Sequence, residues 1–285
     1  MDPGNEAAPR HAKELTCQVC GGADLRPYTT DSGGDFVRCR GCGLIFNTRP
    51  FDPGELIDDH YDAAEFFAFY EPRRPHKVWD DGRRLDAVLG YVSGARYLDI
   101  GCGLGTFLEA GEQRGLDAIG IDIGDYPVEY CRKRGLQARV GSLTETGFED
   151  ESFDLVTASN VLEHIPHTED GLLEVRRILR PGGIFAFIIP SGAYLKAHLL
   201  RGSHRNYHGL RARIHYTYHN PRTIQRLLRR TGFQPLRYPW LVTRRLGNPL
   251  GALGELAIFL PRLLGRQLRY ACRMEKELFV IARAV

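Results

Sequence analysis

Two cysteine pairs, Cys17-x2-Cys20 and Cys39-x2-Cys42, stand 18 residues apart near the N-terminus. Four thiolates at this spacing fit a tetrahedral metal site, one tight knuckle supplying each pair. Gly21, Gly22, Gly41 and Gly43 ease the knuckle turns. Zinc is the expected ion, and iron would accept the same ligands. Sulfur fills all four positions, so the ion has no opening for a substrate. It is expected to be structural, its binding free energy folding residues 16–48. The other cysteines, Cys102, Cys131 and Cys272, are expected to pack rather than react.

A second chemical signal is Tyr97-Leu98-Asp99-Ile100-Gly101-Cys102-Gly103-Leu104-Gly105. Glycines between a strand and a helix let the backbone turn sharply and let a ligand approach the main chain. The unpaired N–H groups of the following helix favour a negative group such as a carboxylate. Asp122 ends the next strand, 21 residues after Gly101, where an acid can accept hydrogen bonds from both ribose hydroxyls. A dinucleotide or S-adenosylmethionine would suit such a turn. The dinucleotide fingerprint is G-x-G-x-x-G, and here Thr106 stands where its third glycine would be. Asp99 would repel a pyrophosphate but favour a sulfonium and an ammonium. Charge therefore selects S-adenosylmethionine.

The elements that must hold these groups alternate from residue 96 onward. Strands are predicted at 96–100, 117–122, 137–140, 153–158, 184–189 and 278–284. Helices are predicted at 78–92, 105–114, 127–134 and 221–231, with a further helix face from Leu172, Val175, Ile178 and Leu179 that ends at Pro181-Gly182-Gly183. This alternation predicts an α/β fold, a Rossmann-like parallel sheet with helices on both faces, plus a small N-terminal zinc ribbon. The expected organisation is a disordered leader at 1–15, the ribbon at 16–50, and an aromatic linker with a lead-in helix at 51–92. The core follows at 93–285, carrying an acceptor loop at 191–219 and a basic amphipathic insert at 243–276.

Five segments in order resemble the motifs of class I S-adenosylmethionine-dependent methyltransferases. They are LDIGCGLG at 98–105, GIDI at 120–123, Phe153-Asp154-Leu155-Val156, Asn160-Val161-Leu162-Glu163-His164-Ile165, and RILRPGG at 177–183. The resemblance covers roughly residues 78–235. It implies donor contacts from Asp99, Gly101, Gly103, Gly105, Asp122 and Asn160, and from Ser142 and Leu143 after the third strand. There the family commonly has an acid near the adenine, which this chain lacks. With the ribbon and linker included, the chain resembles a bacterial subgroup that contains sugar and glycoconjugate methyltransferases.

Methyl transfer to an alcohol needs in-line positioning and a base for the hydroxyl proton. Residues 191–219 follow the fifth strand and hold His198, His204, His208, His215 and His219, half of the ten histidines. His215 is the first choice of base, with His164 and His208 behind it. The aromatics at 61–70 form a lid over the donor or pack the ribbon against the core.

Charge is uneven along the chain. Residues 1–92 carry 11 basic and 16 acidic side chains, residues 93–190 carry 9 and 16, and residues 191–285 carry 18 and 3. The last third is a cationic surface that attracts anions. In the insert, leucines from Leu253 to Leu268 share one helical face opposite Arg262, Arg266, Arg269 and Arg273. This helix packs on the body or on a twin subunit, as in a homodimer, or lies on an anionic membrane. Arg201, Arg205, Arg211 and Arg213 could instead grip an anionic substrate. The leading expectation is O-methylation of a saccharide or glycoconjugate, anionic or lipid-linked. RNA methylation and natural-product or quinone-like small-molecule methylation are the alternatives. The ribbon segment is acidic and carries no aromatic-basic stripe, which disfavours nucleic acid. Residues 1–14 are not a secretory signal, and no run is long and apolar enough to span a membrane. A cytoplasmic protein is expected, with peripheral association at the inner face of the membrane as the alternative.

Overall fold

A computed structural model describes residues 15–31, 34–49, 63–192, 214–236 and 277–285. The leader, His208 with the rest of 193–213, and the insert at 243–276 lie outside the described residues, as do Tyr61 and Cys272.

The parallel strands arise where apolar runs end at glycine turns. β4 (Arg96–Ile100), β5 (Asp117–Asp122), β6 (Ala138–Val140), β7 (Phe153–Ser159) and β8 (Leu179–Pro190) run parallel. β11 (Glu277–Ala284) inserts antiparallel beside β8, and β10 (Phe233–Pro235) closes that edge. Among the described residues the order is β10-β11-β8-β7-β4-β5-β6. The order reverses between β4 and β7, and open sheets of this kind bind ligands at such a switch point, beyond the strands' C-terminal ends.

Helices cover both faces. α1 (Ala63–Tyr70) leads into α2 (Arg74–Leu89), which packs with α3 (Thr106–Glu112) and α4 (Asp125–Lys133) on one face. α5 (Thr168–Ile178) and α6 (Pro221–Arg230) cover the other. The lead-in helix starts at Arg74 rather than at 78, because Pro75 occupies its first turn, where a missing N–H costs nothing. The helix expected to end at Pro181-Gly182-Gly183 stops at Ile178. Those three residues form a bulge inside β8, between the rungs Phe153↔Leu179 and Leu155↔Ile184, with Gly182 at φ +80.

The cysteine segment builds its own sheet from β1 (Leu25–Asp31), β2 (Gly34–Cys39) and β3 (Ile45–Asn47). The fourth strand is borrowed: β9 (Thr217–Tyr218) pairs with β3 through Ile45↔Tyr218 and Phe46↔Thr217. Cys17, Val19, Leu44 and Phe46 are buried within the main core cluster under α5 and α6. The Asn220 side chain caps α6 by accepting from the N–H groups of Arg222 and Thr223, and it donates to the Cys42 carbonyl at 2.9 Å. One side chain thus joins the second knuckle to the core.

Asn220→Ala removes both roles, and we expect about 1–2 kcal/mol of lost stability. Thermal unfolding should register a fall of about 2–3 °C, with Asn220→Asp, which retains the cap, falling less. Equal melting temperatures for all three proteins would contradict this assignment.

Candidate active site

The glycine turn is shaped by three left-handed residues, Gly101, Gly103 and Gly105, at φ +70, +46 and +65. A Cβ on Gly101 would come 2.5 Å from Val161, and one on Gly105 would come 2.6 Å from Leu136. Glycine is needed there for both the dihedral and the close approach. Asn160 follows β7 directly, in the left-handed region at φ +56, a conformation that asparagine tolerates better than most residues. Its turn lays Val161 over Gly101.

Asp122 is buried at the end of β5, where it accepts from the Gly103 N–H at 2.9 Å and the Gly124 N–H at 3.2 Å. A carboxylate has about four acceptor sites, so it can serve more than two donors. Asp99 is buried on β4 and accepts from the Thr157 hydroxyl at 2.6 Å, which also meets the Tyr97 hydroxyl at 2.7 Å. Burial holds the Asp99 carboxyl well above the ordinary range, with the Thr157 bond opposing and the charges of Asp81 and Asp122 adding.

Asp81 had no role in the sequence reading. It is buried on α2, accepts from Thr106 at 2.7 Å and from Arg84 at 2.5 Å, and is likewise raised by burial. Its position on the buried stripe of Val78, Leu85 and Val88 was the available signal. Arg74 also reaches the turn, donating to the Leu104 carbonyl at 3.0 Å. Three acids therefore surround one glycine turn in a low dielectric, with Asp81 paired to Arg84 and burial pushing Asp99 towards its neutral form.

Ser142 and Leu143 follow β6. Ser142 is partly exposed, with Thr144 at 3.5 Å, whereas Leu143 is buried near Gly171 and Ile165. Among the aromatics, Phe67 is buried edge-on against Tyr126 and Tyr130 at 4.9 and 4.6 Å, and Phe69 is exposed. Cys102 and Cys131 are buried packing residues, as expected.

Two of the three proposed bases meet. His164 and His215 are buried, with ring centroids 4.7 Å apart at 80°. His164 Nδ1 lies 2.8 Å from the Ile214 carbonyl, so Nδ1 carries its proton, since a carbonyl only accepts. His215 Nδ1 lies 2.9 Å from the Tyr218 hydroxyl. Glu163, which the sequence reading passed over within its own motif, joins them: its carboxylate and the two imidazoles have atoms within 4.8 Å of one another. Both Glu163 oxygens are buried without a hydrogen-bond partner, and burial pushes the carboxyl up to about 8. A carboxyl and two imidazoles this close can share a proton or a cation.

The four ribbon sulfurs also lie within 4.8 Å of one another, with Cys17 to Cys42 at 3.5 Å and Cys20 to Cys39 at 3.4 Å. Tetrahedral zinc with bonds of about 2.3 Å needs sulfurs about 3.8 Å apart, so the donor set fits.

A family model described as a methyltransferase domain matches residues 98–187. The chain is 31% identical to the ubiquinone biosynthesis O-methyltransferase of Pseudomonas aeruginosa (strain UCBPP-PA14) over 179 residues, 51% of this chain and 75% of that protein. It is 33% identical to the protein of that name from Hahella chejuensis over 142 residues, 42% of this chain. That match spans 60% of the relative, less than two thirds of its length. A solved S-adenosylmethionine-dependent methyltransferase from Mesorhizobium loti superposes with a TM-score of 0.51 at 21% identity, over 70% of this chain and 96% of that one. One from Archaeoglobus fulgidus gives 0.51 at 20% identity, over 76% and 99%. These structures share the fold.

Glu163 makes stability depend on pH. The unfolded carboxyl loses its proton near 4.5 and the folded one near 8, so between these values the folded state holds more protons and stability falls as pH rises. Buried His219, held by burial down to about 3 from 6.5, acts with the opposite sign below 6.5. From pH 6.5 to 8 the Glu163 slope stands unopposed by His219, at up to about 1.4 kcal/mol per pH unit. Glu163→Gln should flatten the fall in melting temperature over that interval. An unaltered slope would show that Glu163 does not hold the proton.

Proposed function

We propose that this chain, which belongs to the class I S-adenosylmethionine-dependent methyltransferases, methylates a hydroxyl oxygen of a small molecule and holds one structural zinc in its four-cysteine ribbon. The observation that carries the donor half is the acidic surround of the glycine turn, Asp81, Asp99 and Asp122. The acceptor half draws on the relatives, whose printed names describe O-methyltransferases of ubiquinone biosynthesis. They favour a small molecule with a ring hydroxyl over the saccharide that the sequence resemblance placed first. No helix among the described residues is long and apolar enough to cross a membrane.

Bound S-adenosylmethionine supplies a methyl group made electrophilic by its positive sulfonium. On this reading the residues divide the work. Asp122 holds the ribose hydroxyls while its own position is fixed by two backbone N–H groups. Gly101, Gly103 and Gly105 admit the donor to the main chain, and the N-terminus of α3 favours its carboxylate. Asp99, which burial holds towards its neutral form, ionises as the donor's positive charge arrives and then offsets it in a dry setting. Val161, laid over Gly101, connects this half to Glu163 and His164, two and three residues farther along, and through them to His215. His215 accepts the hydroxyl proton, and His164 lies against it edge to face.

The test is incubation with methyl-labelled donor and a panel of phenolic small molecules, sugar nucleotides, glycolipids and RNA. Label should enter the phenolic compounds. Label confined to saccharide, lipid or RNA would overturn the acceptor class. His215→Ala should lower turnover by about 10²–10⁴-fold while calorimetry finds donor affinity unchanged. Undiminished turnover would remove His215 as the base. Metal analysis of the purified chain should return about one zinc, and a folded ribbon without metal would refute the zinc assignment.

A further inference from the structure

We propose that Tyr218 is a positioning residue, through which the cysteine ribbon fixes the orientation and tautomer of His215. This rests on the reading of His215 as the base and goes beyond it by assigning the ribbon a task in the acceptor half.

Tyr218 belongs by sequence to the core segment but by packing to the ribbon. It is 2% exposed and shares a small apolar cluster with Phe36 and Ile45, against which Tyr28 also packs. Its ring meets Phe36 at 5.6 Å and 65°, an edge-on pairing that aromatic quadrupoles favour. Its backbone is registered opposite Ile45 in the borrowed strand. Two neighbouring attachments fix the same stretch: the Asn47 N–H donates to the Tyr216 carbonyl at 2.8 Å, and the Asn220 side chain donates to Cys42. The ring therefore cannot shift without moving β2 or β3, and both strands flank the second knuckle.

The hydroxyl of this held ring lies 2.9 Å from His215 Nδ1. From the core side, the Tyr216 N–H donates to the Glu163 carbonyl at 2.6 Å, and His164 is tied at Nδ1 to the Ile214 carbonyl. Each imidazole thus has a partner at Nδ1, one from the backbone and one from a ribbon-held phenol. A hydrogen bond at one ring nitrogen decides which nitrogen carries the proton, and that is how structural partners set the basicity of the other. A phenol can donate or accept. In the state proposed here His215 Nδ1–H donates to the Tyr218 oxygen, which makes Nε2 the acceptor atom of the ring. Among the described residues, the titratable groups that face His215 include Glu163 and His164 from the turn after β7 and Tyr218 from β9.

The experiment uses the full zinc-loaded chain labelled with ¹⁵N-histidine, with His215 assigned by its loss in His215→Gln. Long-range ¹H–¹⁵N spectra should find Nδ1 protonated and Nε2 unprotonated. Tyr218→Phe keeps the ring and deletes one oxygen, so the fold should persist. His215 should then move to a mixed or Nε2-protonated form, with S-adenosylmethionine affinity by calorimetry within about twofold of the parent. If Tyr218→Phe proves unstable, 3-fluorotyrosine at 218 retains the packing, and the His215 Nδ1 resonance should shift. Removing the metal with a chelator should disturb the same resonances more than donor affinity. A His215 tautomer indifferent to the Tyr218 oxygen overturns the proposal. Full turnover in His215→Ala would strike down the base reading and leave the tautomer result in place, so the two failures are distinct.

Discussion

The rest of the structure depends on burying acids where the chain turns on glycine. Asp81, Asp99 and Asp122 approach one another under the turn at 101–105, and each is at most 3% exposed. Taking carboxylates out of water is unfavourable, and placing them together is more so. The protein limits the penalty by hydroxyl bonds from Thr157 and Thr106 and by keeping the Asp99 carboxyl protonated far above its ordinary range. Such an arrangement weakens the ligand-free fold. It is consistent with a site whose ligand arrives carrying positive charge, and perturbed buried acids cluster at working sites for this reason.

The proposed acceptor half, the cluster of Glu163, His164 and His215, is assembled differently. Where the donor half is local, built from consecutive strand ends of one sheet, the histidine pair depends on segments far apart in sequence. The 3-10 turn Leu162–His164 supplies Glu163 and His164, residues 214–219 supply His215, and the ribbon closes the outer side through β3. Gln18 extends the same seam, donating to the Pro166 carbonyl and accepting from the Thr168 N–H at the start of α5. Thr168 in turn meets His219 at 3.1 Å. The ribbon is therefore continuous with the wall of the histidine site.

The legibility of the sequence follows the same division. β4 and β5 begin and end where the apolar runs predict, because buried parallel strands are continuous hydrophobic stretches stopped by glycine turns. The glycine turn and Asp122 were readable from motif residues; His164 and His215 were each legible as candidate bases, but their meeting was a tertiary fact. β1 was not read: Leu-Arg-Pro-Tyr-Thr-Thr-Asp has no alternating pattern, and it is a strand only because β2 pairs with it around a bulge near Pro27. Tyr218 and Asp81 were missed for related reasons. The strand partner of Tyr218 lies some 170 residues away, and Asp81 looks like an ordinary polar helix position until α3 packs over it. Local pattern encodes elements, whereas a side chain's partner across the fold is a tertiary fact.

The central proposal is that the glycine turn at the switch point takes a cationic donor. Titration calorimetry of the same protein with S-adenosylmethionine and with nicotinamide adenine dinucleotide, between pH 5 and 7, addresses it directly. The account predicts saturable binding of the sulfonium compound, with proton release as the raised Asp99 carboxyl ionises beside it, and no binding of the dinucleotide. Saturable dinucleotide binding with the sulfonium compound excluded would contradict it.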